Sequence, residues 1–278
     1  MSRIAILGGK GMLGSDLAKL AESAGHEVNV FDLPEFNITR NADIRNAVSS
    51  ADFIVNCAAY TAVDKAETER GTCRSVNALA VGSLAKFAKN ENKYLIHIST
   101  DFVFGDESEK SLSEDDTPNP LGWYGATKLE GEKLLQSSGC RSAIVRVEWT
   151  YGRNGVNFIS KFLDVAKKNP KLKVVGDQTG SPTWTADVAR AIMCLLKNRT
   201  EGLYHFADAG YASRYEVAKF IMREKGIDKE ITSCSSSDFP APAQRPLNSR
   251  FNCSKIDKVI DFKRPTWQES MSAFLREI

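Results

Sequence analysis

The sequence predicts an α/β fold built on a doubly wound, Rossmann-like parallel sheet, with a smaller, loop-rich C-terminal lobe. Short apolar runs alternate with longer helical patterns through the first half of the 278-residue chain, as in β-α-β units. A glycine-rich turn follows the first run. After residue 150, loops rich in Gly, Pro, Ser and Thr separate the apolar segments. We therefore predict a dinucleotide-binding domain, residues 1–150, and a mainly substrate-binding lobe, residues 151–278, with some segments packing back on the first domain.

Each element of the predicted fold follows from the spacing of apolar residues. In the first half the predicted strands are 3–7, 27–31, 52–57, 93–98 and 142–147, and the helices between them are 11–24, 41–49, 71–91 and 123–137. In the second half the predicted helices are 156–169, 185–198 and 213–225, with a strand near 172–175.

The composition excludes several classes of protein. The chain is 42% hydrophobic and 26% charged, which is ordinary for a globular protein with a substantial core. Its net charge of +2 gives no reason to expect binding to nucleic acid or to an anionic membrane. The six cysteines contain no C-x-x-C pair and are predicted to be reduced thiols. The first apolar run is too short for a signal peptide or a membrane span, so we expect a cytoplasmic protein.

The glycine-rich turn predicts a cofactor site. The strand Ile4–Leu7 is followed by Gly8-Gly9-Lys10-Gly11-Met12-Leu13-Gly14 and then by a helical pattern. Strand, glycine turn and helix are the context in which such a motif binds a pyrophosphate on the helix N-terminus. We predict that the cofactor contacts Gly8, Gly11, Met12, Leu13 and Gly14. A purely structural glycine turn is the alternative.

Polar and small residues at the ends of later strands extend this cofactor prediction. Asp32, after the second strand, has the spacing of an acidic residue that binds the adenosine ribose, or it is a solvated loop residue. A carboxylate there favours NADH over NADPH, although Lys10 or Arg40 offsets that preference if it faces the same site. After the third strand, Cys57, Ala58 and Ala59 leave room for a flat cofactor against the backbone. Asn77 is a polar residue within an apolar helical stretch, where a buried amide needs partners.

Tyr124 and Lys128 form a candidate acid–base pair. They are four residues apart on a predicted helix and therefore share one face. We expect the ammonium to lower the pKa of the phenol towards the range that is useful in proton transfer. Thr100 lies at the carboxyl end of a predicted strand, where open α/β sheets bind ligands. A nucleotide cofactor beside an acid–base pair indicates an oxidoreductase.

These residues resemble the extended short-chain dehydrogenase/reductases. The resemblance implies a catalytic triad of Thr100, Tyr124 and Lys128, in which Thr100 and Tyr124 contact the substrate, and Tyr124, Lys128 and Asn77 also lie in the cofactor site. Five further segments in order look like successive blocks of one family, the dTDP-4-dehydrorhamnose reductases: 58–67, 99–104, 146–152, 177–183 and 245–249.

Membership of this family would imply the activity, the cofactor and the substrate site. The cofactor would be NADPH or NADH, and the substrate a dTDP-linked 4-keto-6-deoxyhexose reduced at C4 in dTDP-rhamnose and cell-surface polysaccharide biosynthesis. The resemblance implies that Trp149 walls the sugar pocket and that Gln178, Arg245 and Asn248 lie around the nucleotide half. Phe102 stands where many members have tyrosine, so a hydroxyl contact is missing from the substrate site.

Metal binding, self-association and one acidic segment are less defined. Some relatives hold a divalent cation at a dimer contact, and Asp16 is the nearest candidate here, but no cluster has ligand spacing and we predict no metal. A homodimer stays an open alternative. The acidic segment 107–116 is either a solvated loop or a lid.

Two other functions share the scaffold. Nucleotide-sugar epimerases and 4,6-dehydratases retain their NAD, and the dehydratases often carry an Asp-Glu pair beside the threonine, where this chain has Asp101-Phe102. A non-catalytic NADP-binding regulatory subunit, as in the methionine adenosyltransferase β-subunit, is the third alternative. The intact Thr100, Tyr124 and Lys128 favour catalysis.

Overall fold

The computed structural model describes residues 1–105 and 108–278. The first residue of the predicted acidic segment, Glu107, lies outside the described residues. The strands are β1 (Arg3–Leu7), β2 (Glu27–Phe31), β3 (Phe53–Asn56), β4 (Tyr94–Thr100), β5 (Ser142–Val147), β6 (Thr150–Tyr151), β7 (Lys171–Val175), β8 (Thr179–Gly180), β9 (Thr183–Trp184), β10 (Gly202–Phe206), β11 (Ala212–Ser213) and β12 (Glu230–Cys234).

The α-helices alternate with these strands and include two short segments before the long fifth helix. They are α1 (Met12–Ser23), α2 (Asn41–Ser49), α3 (Val63–Ala66), α4 (Arg70–Arg74), α5 (Ala80–Asn90), α6 (Trp123–Ser138), α7 (Phe158–Lys168), α8 (Thr185–Asn198), α9 (Arg214–Glu224) and α10 (Trp267–Glu277). Within the described residues, no helix is both long enough and apolar enough to cross a membrane.

The main sheet is parallel, with the strand order β10-β5-β4-β3-β1-β2. The predicted doubly wound α/β fold is therefore confirmed. Strand β10, from the second half of the chain, pairs along its length with β5 and was not predicted from the sequence. Its five residues, Gly-Leu-Tyr-His-Phe, are too few and too mixed in polarity to give a clear strand pattern.

Alternate residues of the central strands face two separate cores. In β1, Ile4 and Ile6 contribute to one core, while Ala5 and Leu7 contribute to the other, because successive side chains of a strand point to opposite faces. Helices α1 and α8 cover the first face, and α2, α5 and α6 cover the second. The first core therefore depends on α8, which lies beyond residue 150.

A third core holds the smaller lobe together. It is formed by the apolar faces of α7, α9 and α10 with residues of β7 and includes Phe162, Ile221 and Phe274. Helix α10 was not predicted, although Thr266 and Glu269 form a reciprocal capping box at its start, a signal that is visible in the sequence. The division into lobes at residue 150 stays a prediction.

The strand order determines where a ligand can bind. The neighbours of β1 are β2 and β3, so the chain reverses direction across the sheet at β1. The carboxyl ends of β1 and β3 meet there, and the Cys57 amide donates to the Leu7 carbonyl at 2.8 Å. Open α/β sheets bind ligands at such a switch point.

Candidate active site

A cavity of about 870 Å³ opens at the carboxyl edge of the sheet. Its size is typical of a cofactor or substrate site. It brings together most of the predicted cofactor residues with the predicted catalytic residues. The predicted residues in its lining are Gly8, Gly11, Met12, Leu13, Gly14, Asp32, Cys57, Ala58, Ala59, Thr100, Phe102, Tyr124, Lys128 and Trp149.

Two glycines make room for a ligand at the end of β1. Gly8 has a φ of +73°, and a Cβ built there would lie 2.6 Å from the Ala58 nitrogen. A Cβ at Gly14 would lie 2.3 Å from the Gly8 carbonyl oxygen. Both positions therefore require glycine, and the N-terminus of α1 can approach the strand end closely. Free amides at a helix N-terminus attract the phosphates of a dinucleotide, so these residues fit NADPH or NADH.

Asp32 lies at the edge of the cavity with its carboxylate already bonded to the backbone. It accepts hydrogen bonds from the amides of Lys10 and Leu33, both at 2.8 Å. The Lys10 ammonium pairs with Glu35 at 2.9 Å, so its charge is compensated within the protein. Asp32 thus fixes the glycine turn to the end of β2 and keeps lone pairs available for a ribose hydroxyl.

Asn77 lies behind the cavity wall and not among the residues that line it. Its amide oxygen accepts from the Tyr60 nitrogen at 2.8 Å, and its amide nitrogen donates to the Tyr60 carbonyl at 3.1 Å and to Thr127 at 3.3 Å. The predicted single helix 71–91 is interrupted here by a π-helical turn, Ser75–Leu79. Such turns are frequent at functional sites. Asn77 positions the loop after β3 against α6, and its predicted contact with the cofactor stays a prediction.

Thr100 and Tyr124 both line the cavity, and they lie close enough for the Thr100 hydroxyl to act on the phenol of Tyr124. Thr100 ends β4, and its hydroxyl donates to Asp101 Oδ1 at 3.0 Å and accepts from the Phe102 amide at 3.2 Å. The Phe102 ring meets the Tyr124 ring edge to face, with centroids 5.4 Å apart. Thr100 is therefore held rigidly, with Tyr124 beside it.

The prediction that Lys128 lowers the pKa of Tyr124 is wrong for this structure. Burial raises the pKa of the Tyr124 phenol and outweighs the effect of the Thr100 hydroxyl, which lowers it. The Lys128 ammonium instead donates to the Ile98 carbonyl at 2.6 Å and lies 3.4 Å from His97 Nε2. Burial also lowers the pKa of Lys128, to about 8. The two side chains share a helix face, as predicted, but the lysine is directed towards β4.

The predicted substrate residues divide into two groups. Phe102 and Trp149 line the cavity, whereas Gln178, Arg245 and Asn248 do not belong to its described lining. The Arg245 guanidinium forms a two-point ion pair with Asp64, at 2.6 and 2.8 Å. Asn248 is buried and donates to the Lys110 carbonyl at 2.8 Å. The predicted contacts of these three residues with a nucleotide stay predictions. Arg245 and Asn248 already have partners within the protein.

Three charged residues near Trp149 were missed by the sequence reasoning. Asp101 and Glu148 are buried carboxylates, and Arg214 is a partly buried residue at the start of α9 that lines the cavity. Burial raises the pKa of both carboxyls. Glu148 could have been noticed, because a charge that ends an apolar strand must find partners. No sequence signal indicated Arg214.

The chain is similar to known proteins along nearly its whole length. The family model described as the RmlD substrate binding domain matches residues 2–278. A dTDP-4-dehydrorhamnose reductase of Sinorhizobium fredii is 34% identical, and the alignment covers 96% of this chain and 95% of that protein.

Solved structures agree over the same length. A dTDP-4-dehydrorhamnose reductase from Clostridium acetobutylicum superposes with a TM-score of 0.95 at 33% identity, covering 99% of both chains. A dTDP-4-dehydrorhamnose reductase from Bacillus anthracis in complex with NADP also has a TM-score of 0.95, at 31% identity, covering 100% of this chain and 99% of that one. The similarity therefore includes both the sheet and the smaller lobe.

Proposed function

Because the chain belongs to the dTDP-4-dehydrorhamnose reductase family, we propose that it reduces the C4 ketone of dTDP-4-dehydro-β-L-rhamnose to dTDP-L-rhamnose with NADPH or NADH. The product would serve the synthesis of cell-surface polysaccharide. The observation that carries the proposal is that Thr100, Tyr124 and Lys128 line the same cavity as the glycine cradle. A homodimer and the exclusion of nucleic acid stay predictions.

The reduction needs a hydride at the carbonyl carbon and a proton at its oxygen. A bound NADPH or NADH supplies the hydride. In our proposal Tyr124 donates the proton to the C4 oxygen, and the raised pKa of its phenol supports this role because it keeps the donor protonated at neutral pH. A reductase requires the protonated phenol at the start of each turnover.

Thr100 and Lys128 would assist this proton transfer in different ways. The Thr100 hydroxyl is fixed by Asp101 and the Phe102 amide, so it can hold the substrate oxygen beside the phenol without losing much side-chain freedom. The Lys128 ammonium would bind the nicotinamide ribose and stabilise negative charge on the phenolate left after proton transfer. Trp149 would close the sugar end of the cavity.

Replacement of the proton donor tests the proposal directly. We expect Tyr124→Phe to lower kcat for oxidation of NADPH with the keto sugar by about 10²–10⁴-fold, the usual contribution of a positioned acid. Thr100→Ala should lower kcat by a smaller factor, because it removes a positioning hydroxyl and leaves the proton donor in place. The measurement is the decrease in absorbance of NADPH or NADH with dTDP-4-dehydro-6-deoxyhexose supplied enzymatically.

A matched control is Tyr211→Phe, because Tyr211 is an exposed tyrosine outside the cavity lining. Tyr211→Phe should therefore lower kcat only slightly. Full turnover by Tyr124→Phe would overturn the assignment of the proton donor. Tightly bound NAD together with no consumption of added NADPH or NADH by the unaltered protein would instead favour an epimerase, and the proposed reaction would then be wrong.

A further inference from the structure

Arg214 occupies the sugar end of the cavity in an unusual environment. It is the first residue of α9, fixed by the capping box of Ser213 and Glu216. Its guanidinium carbon lies 3.4 Å from the centre of the Trp149 ring, so the two planar groups are in contact. It also lies 5.1 Å from the Phe158 ring. These contacts fix the position of a long side chain that would otherwise be mobile.

The guanidinium of Arg214 has no hydrogen-bond or ion-pair partner among residues 1–105 and 108–278. Lys128, which also lines the cavity, differs in this respect because its ammonium bonds to the Ile98 carbonyl. Burial lowers the pKa of Arg214 to about 10, so it is still charged at neutral pH. A charged fork of five donors therefore faces the cavity with its hydrogen-bonding capacity unused.

The surroundings of Arg214 indicate which ligand group it suits. Asp101 and Glu148 both act on its charge, yet each carboxylate is bonded elsewhere. Asp101 accepts from the hydroxyls of Ser249 and Thr100, and Glu148 accepts from the Ser181 amide at 2.7 Å. Because two carboxyl groups already lie near the guanidinium, ionisation of either one opposes a strongly negative ligand such as a diphosphate. Neutral oxygen acceptors, such as sugar hydroxyls, face no such repulsion.

We propose that Arg214 is a substrate-binding residue that donates hydrogen bonds to hydroxyl oxygens of the hexose and thereby sets specificity for the sugar. The inference rests on the proposed function, because it takes the substrate to be a nucleotide-linked sugar whose ketone reaches Tyr124. Trp149 supports the placement: it shares the cavity lining with Thr100 and Tyr124, and one face of its ring is covered by Arg214. Arg214 thus lies on the side of the cavity where the sugar must sit.

Binding of the product and of its nucleotide part distinguishes a sugar contact from any other role. We expect Arg214→Met to weaken the binding of dTDP-L-rhamnose by about tenfold or more. This is the usual effect of losing a hydrogen bond from a charged donor. The Kd for dTDP alone and the Kd for NADPH should stay within about twofold of the unaltered protein. The measurements are calorimetric titrations, with kcat/KM for the keto sugar expected to fall and the KM for NADPH unchanged.

Arg223→Met is the matched control. Arg223 lies on the same helix and also covers an aromatic ring, Phe220 at 4.7 Å, but its side chain is 70% exposed and outside the cavity lining. The Arg223→Met variant should bind dTDP-L-rhamnose and dTDP with the affinity of the unaltered protein. If Arg214→Met fails to fold, Arg214→Lys replaces it, because the lysine keeps a charge beside Asp101 and Glu148 but loses the planar fork; it should bind dTDP-L-rhamnose more weakly and dTDP normally.

Three results would overturn the inference. Unchanged affinity of the Arg214 variants for dTDP-L-rhamnose would exclude a contact. If the binding of dTDP and of dTDP-L-rhamnose is weakened equally, Arg214 contacts the nucleotide and not the sugar. Failure of the unaltered protein to bind dTDP-L-rhamnose or to reduce the keto sugar would contradict the proposed function as well. If the unaltered protein and the Arg214 variants all turn over the keto sugar normally, only the role of Arg214 is contradicted.

Discussion

Lys128 shows how one side chain is tuned by its immediate neighbours. Its ammonium is 2% exposed and bonds to the Ile98 carbonyl, and it lies 3.4 Å from His97 Nε2. On the other side of the ring, His97 Nδ1 lies 3.1 Å from the Asn56 amide nitrogen. Burial and the nearby ammonium keep the pKa of His97 well below its usual value, so the imidazole is neutral. Of these two neighbours, Lys128 and not His97 therefore titrates near neutral pH.

The lowered pKa of Lys128 predicts how activity depends on pH. Because the charged form is needed and its pKa is about 8, we expect kcat/KM for the keto sugar to decline as the pH rises through about 8. Tyr124 should not contribute to this decline, because burial raises the pKa of its phenol above that range. The measurement is a pH–rate profile from pH 6 to about 10. Lys128→Arg should shift the decline upwards, and a flat profile would contradict the assignment.

At the level of elements, a buried ion pair connects α6 to the sheet. Arg146 of β5 forms two hydrogen bonds with Glu132 of α6, at 2.6 and 2.9 Å, and the two side chains are 3% and 1% exposed. The Arg146 guanidinium also lies 5.0 Å from the Phe104 ring. Helix α6 carries Tyr124 and Lys128, so the ion pair helps fix the cavity-lining face of the helix relative to β5.

Removal of one partner of this pair should destabilise the protein strongly. We expect Glu132→Ala to lower the free energy of unfolding by about 3–5 kcal/mol, because it leaves the buried Arg146 charge without its carboxylate counter-ion. The control is Glu130→Ala on the same helix, which breaks the exposed pair with Arg74 and should cost about 0–1 kcal/mol. Urea denaturation of the two variants measures both values. Equal losses would show that burial does not govern the contribution of Glu132.

At the level of the whole molecule, the chain returns to the first sheet after it has begun the smaller lobe. Helix α8 packs against α1 over one face of the sheet, and β10 extends the sheet beyond β5. Val188, Ile192 and Leu195 of α8 belong to the same core as Ile4 and Ile6 of β1. We therefore expect the first half of the chain to be stable only together with residues from the second half.

A fragment of residues 1–150 tests this dependence. We expect it to show no cooperative unfolding transition, because loss of α8 exposes the apolar face of β1, β3 and β4 to water. The full chain should unfold cooperatively under the same conditions. Thermal denaturation followed by circular dichroism makes the comparison. A fragment that melts cooperatively and binds NADPH would contradict the prediction.

The sequence by itself determined the order of most elements and the position of the cofactor turn. Strands β1 and β2 have the bounds that apolar spacing predicts, and Gly8 and the residues from Gly11 to Gly14 line the cavity as their motif indicates. These features are local: a strand, a tight turn and a helix start within a few residues, so their signals are contained in a short window of sequence. Thr100 at a strand end is predictable for the same reason.

Only the tertiary structure decided the charges and partners within the site. Lys128 faces the Ile98 carbonyl, and Arg245 is paired with Asp64, which is 181 positions away in the chain. Arg214 meets Trp149 because β11 pairs with β8 and brings the start of α9 over the cavity. Burial and partners distant in sequence set the pKa values and free donors of these side chains. A linear pattern contains neither, since both arise only when segments that are distant in the chain pack together.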